Sequence, residues 1–259
     1  MIESLYIAET GMASQQKLID VISNNIANAS TPGFKKTQLN FVDLVYKGHS
    51  SSQLDDAGIN QSTNNGAGVQ ALTNSKDFSV GELKQTGNPF DIAIQGAGFI
   101  EVLQENGDSA YTRAGRLRLD ADGYLVTAQG NRLSTNIQLP PDSTELKIAT
   151  NGVVSVRIGD ETIATELGTI ELVRFSNDEG LATIGNNLYL NTESSGDALY
   201  GNPGEFGLGQ ILQGITEVSN VSMTEEMVNL MLAQRGYQLN ARIIQVSDQL
   251  LDTINNLRR

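Results

Sequence analysis

The sequence predicts an α+β protein. Discontinuous terminal helices form one coiled-coil domain, an antiparallel β-rich domain is inserted between them, and an extended segment connects the two. Three observations support this. Leu5, Ala8, Met12, Gln15, Ile19, Ile22, Ile26 and Ala29 recur at steps of three and four residues, and so do Met223, Met227, Leu230, Gln234, Tyr237, Ala241, Ile244, Asp248 and Leu251. Residues spaced this way line one stripe of a helix, so each end offers an apolar seam to another helix. Between the ends, short runs of period two are separated by turn residues, the pattern of antiparallel strands.

The N-terminal helix is read over residues 3–29. It is stopped by Asn28-Ala29-Ser30-Thr31-Pro32-Gly33, where Pro32 biases Thr31 away from the α region. Phe34, Leu39, Phe41, Val42, Leu44, Val45 and Tyr46 then make a short apolar stretch that folds back on the helix. Residues 47–76 turn to Ser, Gly, Asn and Gln. On composition this is a polar loop, too poor in apolar groups to offset the entropy of ordering it without a neighbour. Asp91–Ile94 and Phe99–Leu103 read as strands, with Asn106-Gly107 as a hairpin signal before Ala110–Thr112. Leu117–Leu119 and Tyr124–Val126 flank a second turn at Asp122-Gly123, and further strands are expected at 153–156, 162–164, 169–175 and 187–190. The C-terminal helix is read over 224–257, with Glu225 and Glu226 in the first turn, where the helix dipole favours acids. The domains expected are therefore a helical core from 1–34 and 217–259, a connecting segment over 35–87 with its polar loop at 47–76, and a β-rich outer domain over 88–216.

Composition narrows the function. The chain has 259 residues, 26 of them Gly without a collagen-like period, and its formal net charge is −13. Residues 1–36 are neutral in sum and 217–259 carry −1, so the middle holds the remaining −12. Nearly neutral ends pack side by side without strong repulsion, while an acidic middle stays solvated. No basic stripe is present to neutralise phosphates, which argues against nucleic acid as a partner. There is no Cys, so disulfides and thiolate metal sites are excluded. No basic n-region or apolar h-region marks a cleaved signal, and no run is long enough to span a bilayer.

No catalytic group of residues emerges. Asp120-Ala121-Asp122-Gly123 starts like a calcium loop but lacks the later ligands and the distal Glu, so a β-turn is the reading. Gly96-Ala97-Gly98 precedes a strand instead of a helix, which suits close backbone packing and not a dinucleotide. His49, the single histidine, sits in the polar loop, leaving no material for a triad or a His-rich metal site. Asp55-Asp56, Asp160-Glu161 and Asp178-Glu179 lie in polar, turn-like surroundings and read as solvated surface. No cofactor is expected. The stripes also admit a bland reading, the closed core of a monomeric bundle. Against it, Ile243, Leu250, Ile254 and Leu257 form a second stripe that widens the apolar face beyond what one partner covers. Gln15, Gln234 and Asp248 interrupt the seams and set register, as polar seam residues do elsewhere.

Ser23-Asn24-Asn25-Ile26-Ala27-Asn28-Ala29-Ser30-Thr31-Pro32-Gly33-Phe34-Lys35 closely resembles the N-terminal signature of bacterial flagellar rod and hook proteins. Ser4–Ala8 with Thr10-Gly11, and Asn40–Tyr46, are similar to the distal-rod branch of that family. Asp91–Phe99, Tyr111–Gly115, Ser219–Val221 and Gln234–Asn240 resemble further family blocks, so the likeness covers nearly the whole chain. Gly236, where the family commonly has Ala, and Pro32, where the turn varies, are small departures.

The resemblance implies a structural subunit and no enzyme. It implies export through the flagellar type III apparatus without a cleaved signal, and folding at a growing tip. The terminal helices would pack into a coiled-coil tube, with the β domain outside and the 47–76 segment reaching between subunits. Expected partners are copies of the chain, proximal rod proteins, the hook protein, and the peptidoglycan and outer-membrane ring bushings. The expected location is the periplasm-spanning rod of the basal body. The assembly seams expected are Leu5, Ala8, Met12, Ile19, Ile22 and Ile26 at one end, and Met227, Leu230, Gln234, Tyr237, Ala241, Ile244, Leu251 and Ile254 at the other. The signature turn consists of Asn24, Asn25, Asn28, Thr31, Gly33 and Phe34. Its Asn residues are expected to hydrogen-bond backbone groups at the helix end or between subunits, and Gly33 to supply a turn closed to residues with a Cβ. Two rivals are another axial protein, proximal rod or hook, and a β-rich binding domain framed by helices. Hook proteins generally carry a larger insertion, and a binding domain would need an aromatic platform in 90–215.

Overall fold

The computed structural model describes residues 2–47, 64–104, 106–159 and 164–257. The chain divides into two compact units, one of residues 1–26, 37–75 and 222–259, the other of 27–36 and 76–221.

The first unit contains α1 (Ile2–Ala27), β1 (Thr37–Lys47), β2 (Asn64–Lys76) and α2 (Met223–Leu257). Among the described residues no helix is long and apolar enough to cross a membrane. The helices run antiparallel: Gly11 lies beside Asn240, Gln15 beside Gly236, and Asn25 beside Glu226. Small residues permit this approach. A Cβ on Gly11 would stand 2.7 Å from the Asn240 amide nitrogen, and one on Gly236 would stand 3.2 Å from the Gln15 amide. β1 pairs with β2 in a two-stranded sheet.

The polar-loop reading of 47–76 fails where the structure describes it, because Asn64–Lys76 is strand. Composition weighed apolar burial alone, whereas the ladder with β1 satisfies the backbone and small residues let β2 lie on α1. Ala67 and Ala71 are buried. The Ser14 hydroxyl donates to the Val69 carbonyl at 3.2 Å, and a side chain at Gly68 would collide with the Thr10 hydroxyl. His49, Asp55 and Asp56 lie outside the described residues.

The second unit is antiparallel β. Its strands are β3 (Leu83–Gln85), β4 (Ile92–Gln95), β5 (Phe99–Leu103), β6 (Ser109–Thr112), β7 (Leu117–Leu119), β8 (Leu125–Thr127), β9 (Arg132–Leu133), β10 (Ser143–Ile148) and β11 (Val153–Ile158). They continue with β12 (Thr165–Thr169), β13 (Leu172–Arg174), β14 (Ala182–Gly185), β15 (Leu188–Leu190), β16 (Leu199–Gly201), β17 (Gln210–Gln213) and β18 (Ile215–Glu217). The largest sheet runs β14-β15-β6-β5-β9-β8-β7, and it forks at β5. Residues 99–100 of β5 pair with β13, which pairs with β16, while residues 102–103 pair with β9. Separate ladders join β10-β11-β12, β17 to β4, and β18 to β3.

One apolar core gathers Ile92, Ile94, Ile100, Val102, Leu125, Leu172 and Ile211 from these ladders. A second is aromatic. Phe78 meets Phe99 and Tyr189 edge-on at 5.1 Å, and Tyr111 meets Phe175 at 4.8 Å. The stretch expected as one strand over 169–175 is two, since β12 ends at Thr169 and β13 begins at Leu172. Of the strand expected at 162–164, Thr162 and Ile163 lie outside the described residues and Ala164 is not in a strand.

Candidate assembly surfaces and a buried ion cluster

In the first unit the inner face of α2 mixes small, polar and aliphatic groups. Glu226, Ala233 and Ser247 are buried, and Leu230, Gly236, Asn240, Ala241 and Ile244 are half-buried. At about 100° per residue this face overlaps the first apolar stripe read from the sequence, sharing Leu230, Ala241 and Ile244 with it, and lies to one side of the second. Of the first stripe, Met227, Gln234, Tyr237 and Leu251 are exposed. The second extends further toward the N-terminus than the sequence reading took it: Leu232, Leu239, Ile243, Val246, Leu250 and Ile254 are all exposed, Leu239 by 63%. Large apolar side chains left open along a 35-residue helix form a contiguous apolar surface, the mark of an interaction site. On α1, Ala8 and Ile22 are buried, while Leu5, Met12, Ile19 and Ile26 are half-buried.

Asn25 shows what the signature asparagine does in this unit. Its side-chain amide donates to the Thr37 carbonyl at 2.9 Å and accepts from the Thr37 N–H at 3.0 Å, completing both backbone groups as a neighbouring strand would. The same amide reaches the Glu226 carboxylate at 3.4 Å, so one side chain binds α1, the start of β1 and the first turn of α2.

In the second unit the signature turn is fixed by its own bonds. The Asn28 side-chain oxygen accepts from the Thr31 hydroxyl at 3.3 Å, and the Pro32 carbonyl accepts from Asn187 at 3.1 Å. Gly33 adopts φ +70°, and a Cβ there would come within 2.8 Å of the Ala114 backbone. Phe34 is buried under the Lys76 ammonium, 4.6 Å from its ring centre. Asn24 lies on α1 with partners of its own.

Directly after this turn, Lys35 enters an ion cluster closed to solvent. Glu217 accepts from Lys35 Nζ at 2.7 Å and the Gly81 N–H at 2.8 Å through Oε1, and from Arg113 Nε at 3.2 Å through Oε2. Lys35 also donates to the Ser79 carbonyl at 2.6 Å. The two Arg113 terminal nitrogens donate to the carbonyls of Gly98 at 3.2 Å and Gly96 at 2.8 Å. Thus the Gly-Ala-Gly motif is a receptor for a guanidinium. All three charged side chains are at most 2% exposed.

Burial alone would raise the Glu217 pKa, but the charges of Arg113 and Lys35 and the bonds from Lys35 and Gly81 hold it below the usual carboxylate range. Lys35 is pushed down by burial and by Arg113 alongside it, and Glu217 offsets only part of this. The arrangement can hold the chain but cannot react, since no substrate reaches the carboxylate. Sequence reading missed Glu217 and Arg113 as a pair because their meeting is tertiary. Among the described residues no cluster of His, Asp and Glu is placed to hold a metal ion.

The described residues thus present a closed ion clasp in one unit and an open apolar helix face in the other. Family models match in three places: Flagella basal body rod protein over residues 5–35, Flagellar hook protein FlgE/F/G D1 domain over 93–156, and Flagellar basal body rod FlgEFG protein C-terminal over 212–257. The flagellar basal-body rod protein FlgG of Borreliella burgdorferi is 39% identical over 269 residues, covering 100% of both chains. That of Bacillus subtilis is 39% identical over 267 residues, again covering 100% of both. The flagellar hook-basal body complex protein FlhP of the same organism is 30% identical over 277 residues, with full coverage. The chain belongs to the flagellar basal-body rod protein family.

Proposed function

We propose that this chain is a structural subunit of the distal rod, polymerising helically into a stiff hollow shaft that carries torque from motor to hook. The observation that carries the reading is the open apolar face of α2, in a chain that matches rod proteins along its whole length. That face supplies what a coiled-coil tube needs, with copies of α1 and α2 from neighbouring subunits as its cover. The reading places the protein in the periplasm-spanning part of the basal body, exported without a cleaved signal. Its partners there are proximal rod proteins, the hook protein, the ring bushings and the export apparatus, and it has no catalytic role. Higher identity to the rod protein than to the hook-basal body protein of one organism favours the rod within the family.

The test is the double variant L239D/I243D in full-length chain. Both positions are exposed, so the monomer should keep its circular dichroism and unfolding midpoint. Electron tomography should then show basal bodies with the proximal rod present and the distal shaft and hook missing. Normal rods built from that variant would overturn the reading.

A further inference from the structure

Phe206 is 87% exposed and stands at φ +50°, a backbone region that bulky residues rarely occupy. It is the first central residue of a turn closed by the Leu208 N–H on the Glu205 carbonyl at 2.8 Å, and Gly207, the second, lies at φ +78°. Two successive positive φ values are the pattern of a type I′ turn, whose first central position suits Asn, Asp or Gly. The loop is pinned on both sides, by Gly204 N–H on the Gly209 carbonyl at 3.0 Å and Gly209 N–H on the Ala97 carbonyl at 2.7 Å. Phe206 therefore strains its own backbone and buries almost nothing in return. Strain held at an exposed position points to function. Leu199 and Tyr200, both exposed, extend the apolar patch over buried Phe175 and Leu208. Arg174 stands at its rim, where Nη1 lies 2.9 Å from the place a Gly207 Cβ would take.

A complementary surface lies on the other branch of the forked sheet. Leu119, Leu139, Pro140 and Pro141 line an open groove of about 610 Å³, and Leu119 is exposed within it. Its rim carries Asp120 and Asp122, whose side chains remain 42% and 67% exposed although both bond Arg132. One patch is thus an apolar knob with Arg174 and Glu205 beside it, and the other an apolar-lined groove whose rim carboxylates share Arg132.

We infer that Phe206 of one copy seats in the Leu119–Pro141 groove of a second copy, with Arg174 facing Asp120 and Asp122. The inference rests on the rod reading and names a contact made by the β unit. The two surfaces differ, so the contact is heterologous and can repeat into an open filament instead of closing on itself.

The chain has no Cys, which makes a clean test possible. Cells would produce F206C and P141C copies together, and rods would be isolated and oxidised. The expected result is a covalent dimer that neither variant gives alone. Rods that contain both variants and yield no mixed dimer would overturn this contact and leave the rod reading standing. Isolated rods that lack even the unaltered chain would remove both. A second variant, Phe206→Asn, relieves the turn strain, so the monomer should unfold at the same temperature or higher. Its concentration threshold for polymerisation should rise roughly tenfold or more, as loss of a buried Phe requires. An unchanged threshold overturns the inference. So do F206N rods of normal length that have lost a ring, which would assign the patch to a ring protein.

Discussion

Replacing Glu217 by Gln would leave the Lys35 and Arg113 charges buried against an amide. Breaking a buried pair in this way costs about 3–5 kcal/mol, so E217Q should lower the unfolding free energy of the β unit by that amount in urea denaturation. Replacing all three residues together by apolar ones of similar volume should restore most of the loss, and failure to do so would show that the cluster fixes the local backbone as well. The pH dependence follows from the depressed Glu217 pKa. Its contribution is fully present above the ordinary carboxyl value of 4.5 and is lost as pH falls through the lower folded value. The measurement is stability against pH with E217Q beside the unaltered chain: the two curves should converge in acid. The sequence exposes part of this site. Lys35, Arg113 and the Gly96–Gly98 motif stand inside recognisable blocks, and the turn at Gly33 is marked by its glycine. Glu217 carries no such mark, since only the fold brings residues 35, 81, 113 and 217 together.

At the scale of the element, α1 and α2 are legible from their three- and four-residue periodicity, and their boundaries fall within two residues of the reading. The inner face of α2 is less so. Apolar periodicity points to large side chains, whereas Gly236 beside Gln15 and Gly11 beside Asn240 let the two backbones approach, and Glu226 bonds Asn25. Strand β2 was hidden for a related reason: Ala, Gly and Ser give little β signal, yet they fit against α1. Gly236 offers a test of this packing. Alanine there gains about 1 kcal/mol of helix propensity and meets only the flexible end of Gln15, whose buried carbonyl oxygen accepts no hydrogen bond. G236A should therefore raise helicity and stabilise the helical unit by about 0.5–1 kcal/mol in urea unfolding. A loss of stability would show that Gln15 cannot yield.

For the whole molecule, the excess negative charge belongs to the middle of the chain, and Glu171, Glu179, Glu193 and Asp197 are exposed on the β unit. A rod surface that is solvated and like-charged resists adhesion to what surrounds it. Reversing these four acids to Lys should leave rod length unchanged in micrographs and slow tethered-cell rotation at a given load. Unaltered rotation would remove this role for the charge.

The Asn25–Glu226 bond joins residues 201 positions apart. The entropy of closing so long a loop grows only logarithmically with its length, and a β unit already folded shortens the gap further. Timing is constrained more severely than energy. A chain that emerges N-terminus first has all of residues 76–221 before it has α2, so α1 waits without its mate until the 35-residue helix α2 arrives. Connectivity thereby makes the helical unit a marker of a chain that has reached α2: a copy ending before residue 223 cannot form the two-helix unit.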